Sequence, residues 1–199
     1  MGGSMKKNHL AAILLSVFLL PLNSIAKVEN AIFAGGCFWC MEHPFEKLSG
    51  VQSVVSGYTG GKKNGPTYEE VSSGRSGHIE SVQVFYDDKI ITYGDLLKTY
   101  WKNIDPLDPD GQFCDKGEQY RSGIFYLNDE QKALARKSLQ DHQNESRFKG
   151  KKIVTFIKEA STFYEAEYYH QDYYKKNPVR YKFYLFNCGR DKRLDEIWK

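Results

Sequence analysis

Short apolar runs alternate along the chain with stretches in which apolar residues recur at helical spacing. The runs that predict strands are residues 31–34, 51–57, 79–86, 122–127 and 153–157. The last of these runs is apolar on both faces, a pattern that is typical of a central strand. Because the strands alternate with helices, the sequence predicts an α/β or α+β fold in which helices cover a mixed sheet.

The predicted helices have recognisable starts. Thr92 is a capping residue before an apolar stripe that ends at Ile104, and Asn128 opens another helix with an Asn-x-x-Gln pattern. A tyrosine-rich segment near the end of the chain is also predicted to be helical. The four predicted helices cover residues 37–48, 92–104, 128–146 and 163–176, and a polar tail that carries Cys188 follows them.

The first 26 residues have the organisation of a secretory signal peptide. Two lysines at positions 6 and 7 precede an apolar run over residues 10–20, and small residues at positions 24 and 26 mark a cleavage point. The run has about half of the roughly 20 apolar residues that a membrane span needs, so we expect a cleaved leader over residues 1–26 and a secreted or periplasmic protein. Residues 1–4 are a candidate addition to a natural chain that starts at Met5.

Residues 27–199 are predicted to form a single domain. No repeat, low-complexity tract or Pro/Gly/Ser-rich linker divides them, and 41% hydrophobic with 15% aromatic residues is enough for a packed core. Removing the two leader lysines from 28 basic residues leaves a net charge of +1 against 25 acidic residues. This balance argues against a nucleic-acid-binding surface, and we expect a monomer without stable membrane insertion.

The candidate chemistry lies in the segment Gly-Cys-Phe-Trp-Cys at residues 36–40. A strand that ends in Gly-Gly and opens into a helix places Cys37 at a helix N-terminus, where free N–H groups and the helix dipole favour a reactive thiolate. Cys40 lies three residues on, so the two can form a disulfide. Zinc normally requires a second close pair or histidine ligands, and Cys114 and Cys188 stand alone, so we expect no metal. The segment by itself also fits a thioredoxin-like thiol–disulfide oxidoreductase.

Six motifs, in order along the chain, resemble those of the A-type peptide methionine-sulfoxide reductases. The resemblance covers nearly all of the chain from about residue 31. It implies a two-layer α/β sandwich related to ferredoxin-like folds, and reduction of the S epimer of methionine sulfoxide, free or in oxidised proteins, as protein repair. It implies no metal or organic cofactor, and a thioredoxin-like reductant as partner. The motifs occupy residues 36–42, 57–61, 66–71, 77–80, 115–122 and 169–171.

The resemblance also implies roles for individual residues. Cys37 matches the nucleophile that attacks the sulfoxide sulfur. Phe38 and Trp39 match an aromatic wall around the substrate methyl group, which suits a thioether-like end. Tyr68 and Tyr120 match hydroxyl donors to the sulfoxide oxygen, in the manner of an oxyanion hole.

Glu80 is the acid that the sequence makes most informative. On its alternating strand it shares a face with Val82 and Val84, so we expect it to be buried rather than an exposed strand-end carboxylate. To keep Glu80 protonated near pH 7, its surroundings must favour the neutral carboxyl over the ionised one by roughly 4 kcal/mol, which desolvation can supply. A protonated acid can then donate its proton to a developing oxyanion. Asp115 matches a family acid near the site, although a loop cap is the local alternative. His170 is predicted to be a packed helix histidine, with an active-site role as the alternative.

Recycling of the oxidised enzyme leaves alternatives open. Attack leaves Cys37 as a sulfenic acid, which condenses with a nearby thiol. We favour Cys40 as the resolving residue and keep Cys188 as the alternative, since family members often use a C-terminal cysteine. Cys114 is then a bystander or a partner of Cys188. The alternative function, thiol–disulfide exchange by Cys37 and Cys40, is disfavoured because it requires neither the acid Glu80 nor the aromatic pair.

Overall fold

The computed structural model describes residues 1–3 and 27–199. Residues 4–26, which make up most of the predicted leader, lie outside this description, so the leader stays a prediction. Within the described part of the chain, no helix is long and apolar enough to cross a membrane.

A six-stranded mixed sheet forms the centre of the molecule, in the order β7-β6-β1-β3-β2-β8. Strands β6 and β7 are parallel, whereas the other neighbouring pairs are antiparallel. A separate ribbon contains β4 and β5. The strands are β1 (Val28–Ala34), β2 (Val51–Thr59), β3 (Ile79–Asp87), β4 (Gly111–Gln112), β5 (Asp115–Lys116), β6 (Gly123–Tyr126), β7 (Phe156–Glu159) and β8 (Tyr164–Glu165).

Helices pack on this sheet, so the predicted α/β class is confirmed. The predicted cap at Thr92 is present, because its side chain accepts a hydrogen bond from the Asp95 N–H. The helices are α1 (Trp39–Glu46), α2 (Tyr68–Ser72), α3 (Tyr93–Lys102), α4 (Asp129–Gln143), α5 (Tyr173–Lys176), α6 (Pro178–Cys188) and α7 (Arg190–Trp198).

Strand β1 is buried on both of its faces. Phe33 belongs to the main core, where its ring stacks on those of Phe45 from α1 and Tyr100 from α3, each at a centroid distance of 5.1 Å. Ile32 belongs to a smaller cluster on the other face, with Phe125 from β6. Burial on both sides fixes the end of β1, and the segment that carries Cys37 starts there.

The predicted central strand over residues 153–157 is wrong. Strand β7 starts only at Phe156 and lies at one edge of the sheet. The apolar run is buried by loops instead: the Val154 N–H donates to the Pro106 carbonyl, and the Thr155 hydroxyl bonds the Ser122 hydroxyl at 2.9 Å. Coverage by loops and helices produces the same double-sided apolar pattern as flanking strands.

The predicted helix over residues 163–176 is also wrong. Strand β8 and Ala166 follow the edge of β2, turns come next, and only α5 is helical. The Ala166 N–H donates to the Ser56 carbonyl, and the Gln171 side chain bonds both the N–H and the carbonyl of Ser56. Its backbone is therefore partly satisfied by the sheet rather than by a helix.

The predicted polar tail consists of two helices, α6 and α7. Pro178 occupies the first turn of α6, where its missing N–H costs nothing. Gly189 separates the two helices in a left-handed conformation with φ of 63°. The segment Asn-Cys-Gly, which suggests mobility in the sequence, is a helix C-terminus that places Cys188 at a fixed position.

Candidate active site

One cavity of about 100 Å³ brings together every residue to which the sequence analysis gave a catalytic or substrate-binding role. These side chains come from the loop after β1 and from α1, α2, β3, β5 and the turn before β6. An eighth lining residue, Tyr184 of α6, was missed because α6 was taken as a polar tail. The lining residues are Cys37, Phe38, Trp39, Tyr68, Glu80, Asp115, Tyr120 and Tyr184.

Cys37 lies just before the first turn of α1, which begins two residues later than predicted. The turn into the helix requires Gly36, whose φ is +82° and whose added Cβ would lie 2.6 Å from the side chain of Gln112. The Phe38 N–H, which the sequence suggested for a Cys37 thiolate, donates instead to Glu80 Oε2 at 3.2 Å. Cys37 therefore has fewer stabilising N–H groups than expected.

The surroundings of Cys37 oppose the thiolate that the sequence analysis expects. Burial raises the pKa of the Cys37 thiol well above its usual value, and a hydrogen bond with Cys40 and the charges of Glu80 and Asp115 act in the same direction. That hydrogen bond lowers the pKa of Cys40, against its burial. These surroundings favour the protonated thiol when no substrate is bound.

Glu80 is buried, as predicted from the alternation of β3, with 2% of its surface exposed. Desolvation raises its pKa to about 8, partly offset by the hydrogen bond from the Phe38 N–H, while the negative charge of Asp115 adds to the increase. A pKa of about 8 favours the protonated acid at neutral pH, in line with the expectation from the sequence. Its carboxyl is held beside the nucleophile, because the N–H that it accepts from belongs to the residue after Cys37.

Tyr68 and Tyr120, two of the three tyrosines that line the cavity, have hydroxyls that remain protonated donors. Burial raises the pKa of Tyr68 to about 12, with a smaller contribution from the charge of Glu80, and it also raises the pKa of Tyr120. The backbone of Tyr68 is anchored, because its N–H donates to Glu167 Oε1 at 2.9 Å. The other oxygen of Glu167 accepts from the Tyr58 hydroxyl at 2.8 Å.

A buried histidine supports the aromatic wall. His170 Nδ1 accepts a hydrogen bond from Trp39 Nε1 at 3.0 Å, and its ring lies 5.0 Å from Phe38 and 4.3 Å from Tyr68 between centroids. The Tyr173 ring stacks on the Trp39 ring, with 3.6 Å between their centroids. Burial lowers the pKa of His170, so the ring is neutral. The packed histidine is confirmed, although it lies in a turn rather than in a helix.

A disulfide joins Cys114 to Cys188, with their Cα atoms 4.8 Å apart. Cys37 and Cys40 are free and buried. The pairing of Cys114 with Cys188 is one of the two possibilities that the sequence left open. Within the described residues, Cys114, Asp115 and Cys188 form the cluster with potential metal-ligand atoms, but two of its sulfur atoms are bonded to each other. In this state they offer a metal no thiolate.

Glu42 of α1 is a second buried acid, which the sequence analysis did not single out. Its Oε1 accepts hydrogen bonds from the Ser56 hydroxyl at 2.9 Å and from the Asp172 N–H at 3.2 Å. Desolvation raises its pKa to about 7. Glu42 thereby links the helix that follows the nucleophile to β2 and to the start of α5. The signal that could have identified Glu42 in the sequence is its position at the end of the first motif.

A family model described as peptide methionine sulfoxide reductase matches residues 29–199. The chain belongs to the peptide methionine sulfoxide reductase family. Both the resemblance drawn from the six motifs and the expected methionine sulfoxide reduction are thereby confirmed. The disulfide between Cys114 and Cys188 fits this reaction better than the alternative thiol–disulfide oxidoreductase.

Individual relatives of this reductase agree with the family. The peptide methionine sulfoxide reductase MsrA of Halalkalibacterium halodurans is 51% identical over 172 residues, which are 86% of this chain and 97% of that protein. The structure of methionine sulfoxide reductase A of Corynebacterium diphtheriae matches with a TM-score of 0.72 and 32% identity, over 76% of each chain. The structure of reduced Mxr1 from Saccharomyces cerevisiae matches with a TM-score of 0.71 and 35% identity, over 77% of this chain and 87% of that chain. The expected fold is confirmed.

Proposed function

We propose that this reductase converts the S epimer of methionine sulfoxide, free or in oxidised proteins, to methionine through a sulfenic acid on Cys37. The observation that carries the proposal is the placement of Cys37, a buried protonated Glu80 and two tyrosine hydroxyls around one cavity. Sulfoxide reduction requires a nucleophile for sulfur and proton donors for oxygen, and thiol–disulfide exchange requires no such donors.

The first step transfers one oxygen atom from the substrate to the enzyme. The Cys37 sulfur attacks the sulfoxide sulfur while Glu80 gives its proton to the sulfoxide oxygen, to which Tyr68 and Tyr120 donate hydrogen bonds. The oxygen passes to Cys37 as the S–O bond of the substrate breaks. Methionine leaves, Cys37 is a sulfenic acid, and the proton lost by the Cys37 thiol replaces the one that Glu80 gave.

Phe38 and Trp39 select the substrate through its methyl group. Trp39 is held between His170 and Tyr173, so its indole presents a fixed apolar surface to the cavity. A methyl group on this surface and an oxygen directed at Glu80 leave one handedness at sulfur for the attack. This three-point arrangement admits one of the two epimers, and the motif resemblance favours the S epimer.

Cys40 resolves the sulfenic acid. Its thiol attacks Cys37, a disulfide forms between the two, and the oxygen leaves as water. Two features support this role: the Cys40 N–H donates to the Cys37 carbonyl at 3.0 Å, and Cys40 is a free thiol while Cys188 is bonded to Cys114. A thioredoxin-like protein then reduces the new disulfide by thiol exchange. Cys188 remains the alternative.

The deciding experiment for the function is an assay of both epimers of a methionine sulfoxide peptide with dithiothreitol as reductant. We expect turnover of the S epimer only. Equal turnover of both epimers, or of the R epimer alone, would contradict the proposal.

We further propose that the reductase acts outside the cytoplasm, as a secreted or periplasmic monomer. The leader pattern of residues 1–26 supports this location. Expression of the full chain, followed by N-terminal sequencing of the exported protein, tests it. We expect a start near Lys27, and retention of the intact leader in the cytoplasm would contradict the proposal.

A further inference from the structure

Helix α6 exposes an apolar face next to the catalytic cavity. Val179, Phe183 and Phe186 have 79%, 69% and 84% of their surfaces exposed, and their spacing of four and three residues places them on one face of the helix. A contiguous apolar face of this kind usually marks an interaction site. The opposite face of α6 contributes Tyr181 to the core and Tyr184 to the catalytic cavity.

A groove of about 670 Å³ connects this face to the active site. Val179 and Phe183 line it together with Trp39 and Tyr184, which also line the catalytic cavity. We call this space the α6 groove. Because the same aromatic side chains line both spaces, the groove lies directly beside the catalytic cavity.

We propose that the α6 groove binds apolar residues that flank methionine sulfoxide in an opened segment of a polypeptide substrate. This inference rests on the proposed function and deepens it. The catalytic cavity, at about 100 Å³, has room for a methionine sulfoxide side chain, so the rest of the substrate lies outside it. Because Trp39 and Tyr184 line both spaces, the part of the substrate outside the catalytic cavity lies next to the α6 groove.

The expected occupant is apolar because of where methionine occurs in proteins. Methionine is usually buried among apolar residues, and its oxidation to a polar sulfoxide disrupts that packing. A damaged protein therefore exposes the sulfoxide together with apolar neighbours. The α6 groove offers aromatic and aliphatic side chains of its own, with Arg180 as the charged residue among those lining it. The surface thus matches the sequences that oxidation exposes.

The test compares a small substrate with two S-sulfoxide peptides of equal length, all with dithiothreitol as reductant. The small substrate is N-acetyl-methionine sulfoxide, and the peptides carry either Leu and Phe or Ser and Gln beside the sulfoxide. The variant is Val179→Ser with Phe183→Ser, because both side chains line the groove. Ile90→Ser is the matched control, since Ile90 is 61% exposed and does not line the groove.

We expect the double variant to lose about tenfold in kcat/KM on the apolar peptide, mostly through KM. Its activity on N-acetyl-methionine sulfoxide stays at the parent level, as does that of the control on every substrate. In the parent, the apolar peptide is preferred over the polar one, and the double variant loses this preference.

Three results would overturn the proposal. If the parent and the variant each turn over the two peptides equally well, the groove does not recognise the flanking residues. A raised KM of the variant for a thioredoxin-type donor alone would assign the face to the donor, and a parent dimer that the variant dissociates would assign it to a second copy. Failure of the parent on N-acetyl-methionine sulfoxide would instead overturn the proposed function itself.

Discussion

The Tyr184 hydroxyl donates a hydrogen bond to Asp115 Oδ2, which connects the C-terminal helices to the catalytic cavity. The disulfide between Cys114 and Cys188 joins the same two segments, because Cys114 directly precedes Asp115 and Cys188 lies one helical turn after Tyr184. Burial raises the pKa of Asp115, and the hydrogen bond from Tyr184 counteracts that increase. The position and the ionisation of Asp115 therefore depend on a helix that begins more than 60 residues later in the chain.

Replacement Tyr184→Phe removes this hydrogen bond and keeps the ring. We expect the pKa of Asp115 to rise, because one of the groups that stabilise its charge is lost. The kcat/KM should fall by about tenfold or more, because a hydrogen bond to a charged group contributes about 1.5–3 kcal/mol and roughly 1.36 kcal/mol is a factor of ten. The measurement is the pH dependence of kcat/KM, with Tyr168→Phe as an exposed control. An unchanged acid limb would show that the hydroxyl does not influence Asp115.

Replacement Cys37→Ser should abolish sulfoxide reduction. A hydroxyl at its ordinary pKa cannot replace a thiolate as nucleophile towards the sulfoxide sulfur. Peptide assays with dithiothreitol provide the measurement. Residual turnover at a few per cent of the parent rate would point to another nucleophile.

Replacement Glu80→Gln should slow formation of the sulfenic acid by about 10²–10⁴-fold, the usual contribution of a general acid. The later disulfide step should change far less, because it forms no oxyanion on the substrate. Single-turnover release of methionine, followed separately from thiol loss, distinguishes the two steps. Rates within a factor of two of the parent would leave Glu80 with a structural role.

The stability of the reductase should fall as the pH rises through the range from about 4.5 to 8. Glu80, with a pKa of about 8, and Glu42, with a pKa of about 7, bind protons more tightly when folded than when unfolded. Their contributions are therefore complete below the unfolded pKa and are lost as the pH rises through the folded values. Urea unfolding across this range measures the slope, and Glu80→Gln and Glu42→Gln should each flatten it. The prediction would be contradicted if the free energy of unfolding rose with pH over this range in the parent and in both variants.

Replacement Cys40→Ser should affect activity differently with dithiothreitol and with a thioredoxin-type donor. Dithiothreitol can reduce the sulfenic acid directly, so activity with it should largely survive. A thioredoxin-type donor attacks a disulfide, so the variant should stop after one turnover with that donor. Cys188→Ser should turn over with both. The reverse pattern would move the resolving role to Cys188, and mass mapping of the disulfide formed after one turnover provides an independent check.

Local pattern predicted the parts of the site that depend on local structure. The alternation around Glu80 predicted its burial, because a strand directs every second side chain to the same face. The Gly-Gly before Cys37 predicted a strand-to-helix turn. The start of α1 at Trp39 was not foreseen, and the N–H of Phe38 therefore serves Glu80 rather than the nucleophile.

Long-range contacts account for what the sequence did not reveal. Tyr184 meets Asp115 across 69 residues, and no local period encodes such a pair. Segment 163–176 has helical composition, but hydrogen bonds to Ser56 of a distant strand hold part of it extended. In α6, the face with Phe183 and Phe186 is exposed, so its apolar residues do not follow the one-sided pattern that identifies a surface helix.

The disulfide between Cys114 and Cys188 adds to the fold of this reductase a constraint that forms only on oxidation. It closes a loop across 74 residues, a constraint worth roughly 4 kcal/mol on chain-entropy grounds, and the loop ends at the helix that supplies Tyr184. A newly made, fully reduced chain lacks this closure, and its cavity wall rests on non-covalent contacts alone. Oxidising conditions, which create the damaged methionines, therefore also reinforce the wall of the site that repairs them.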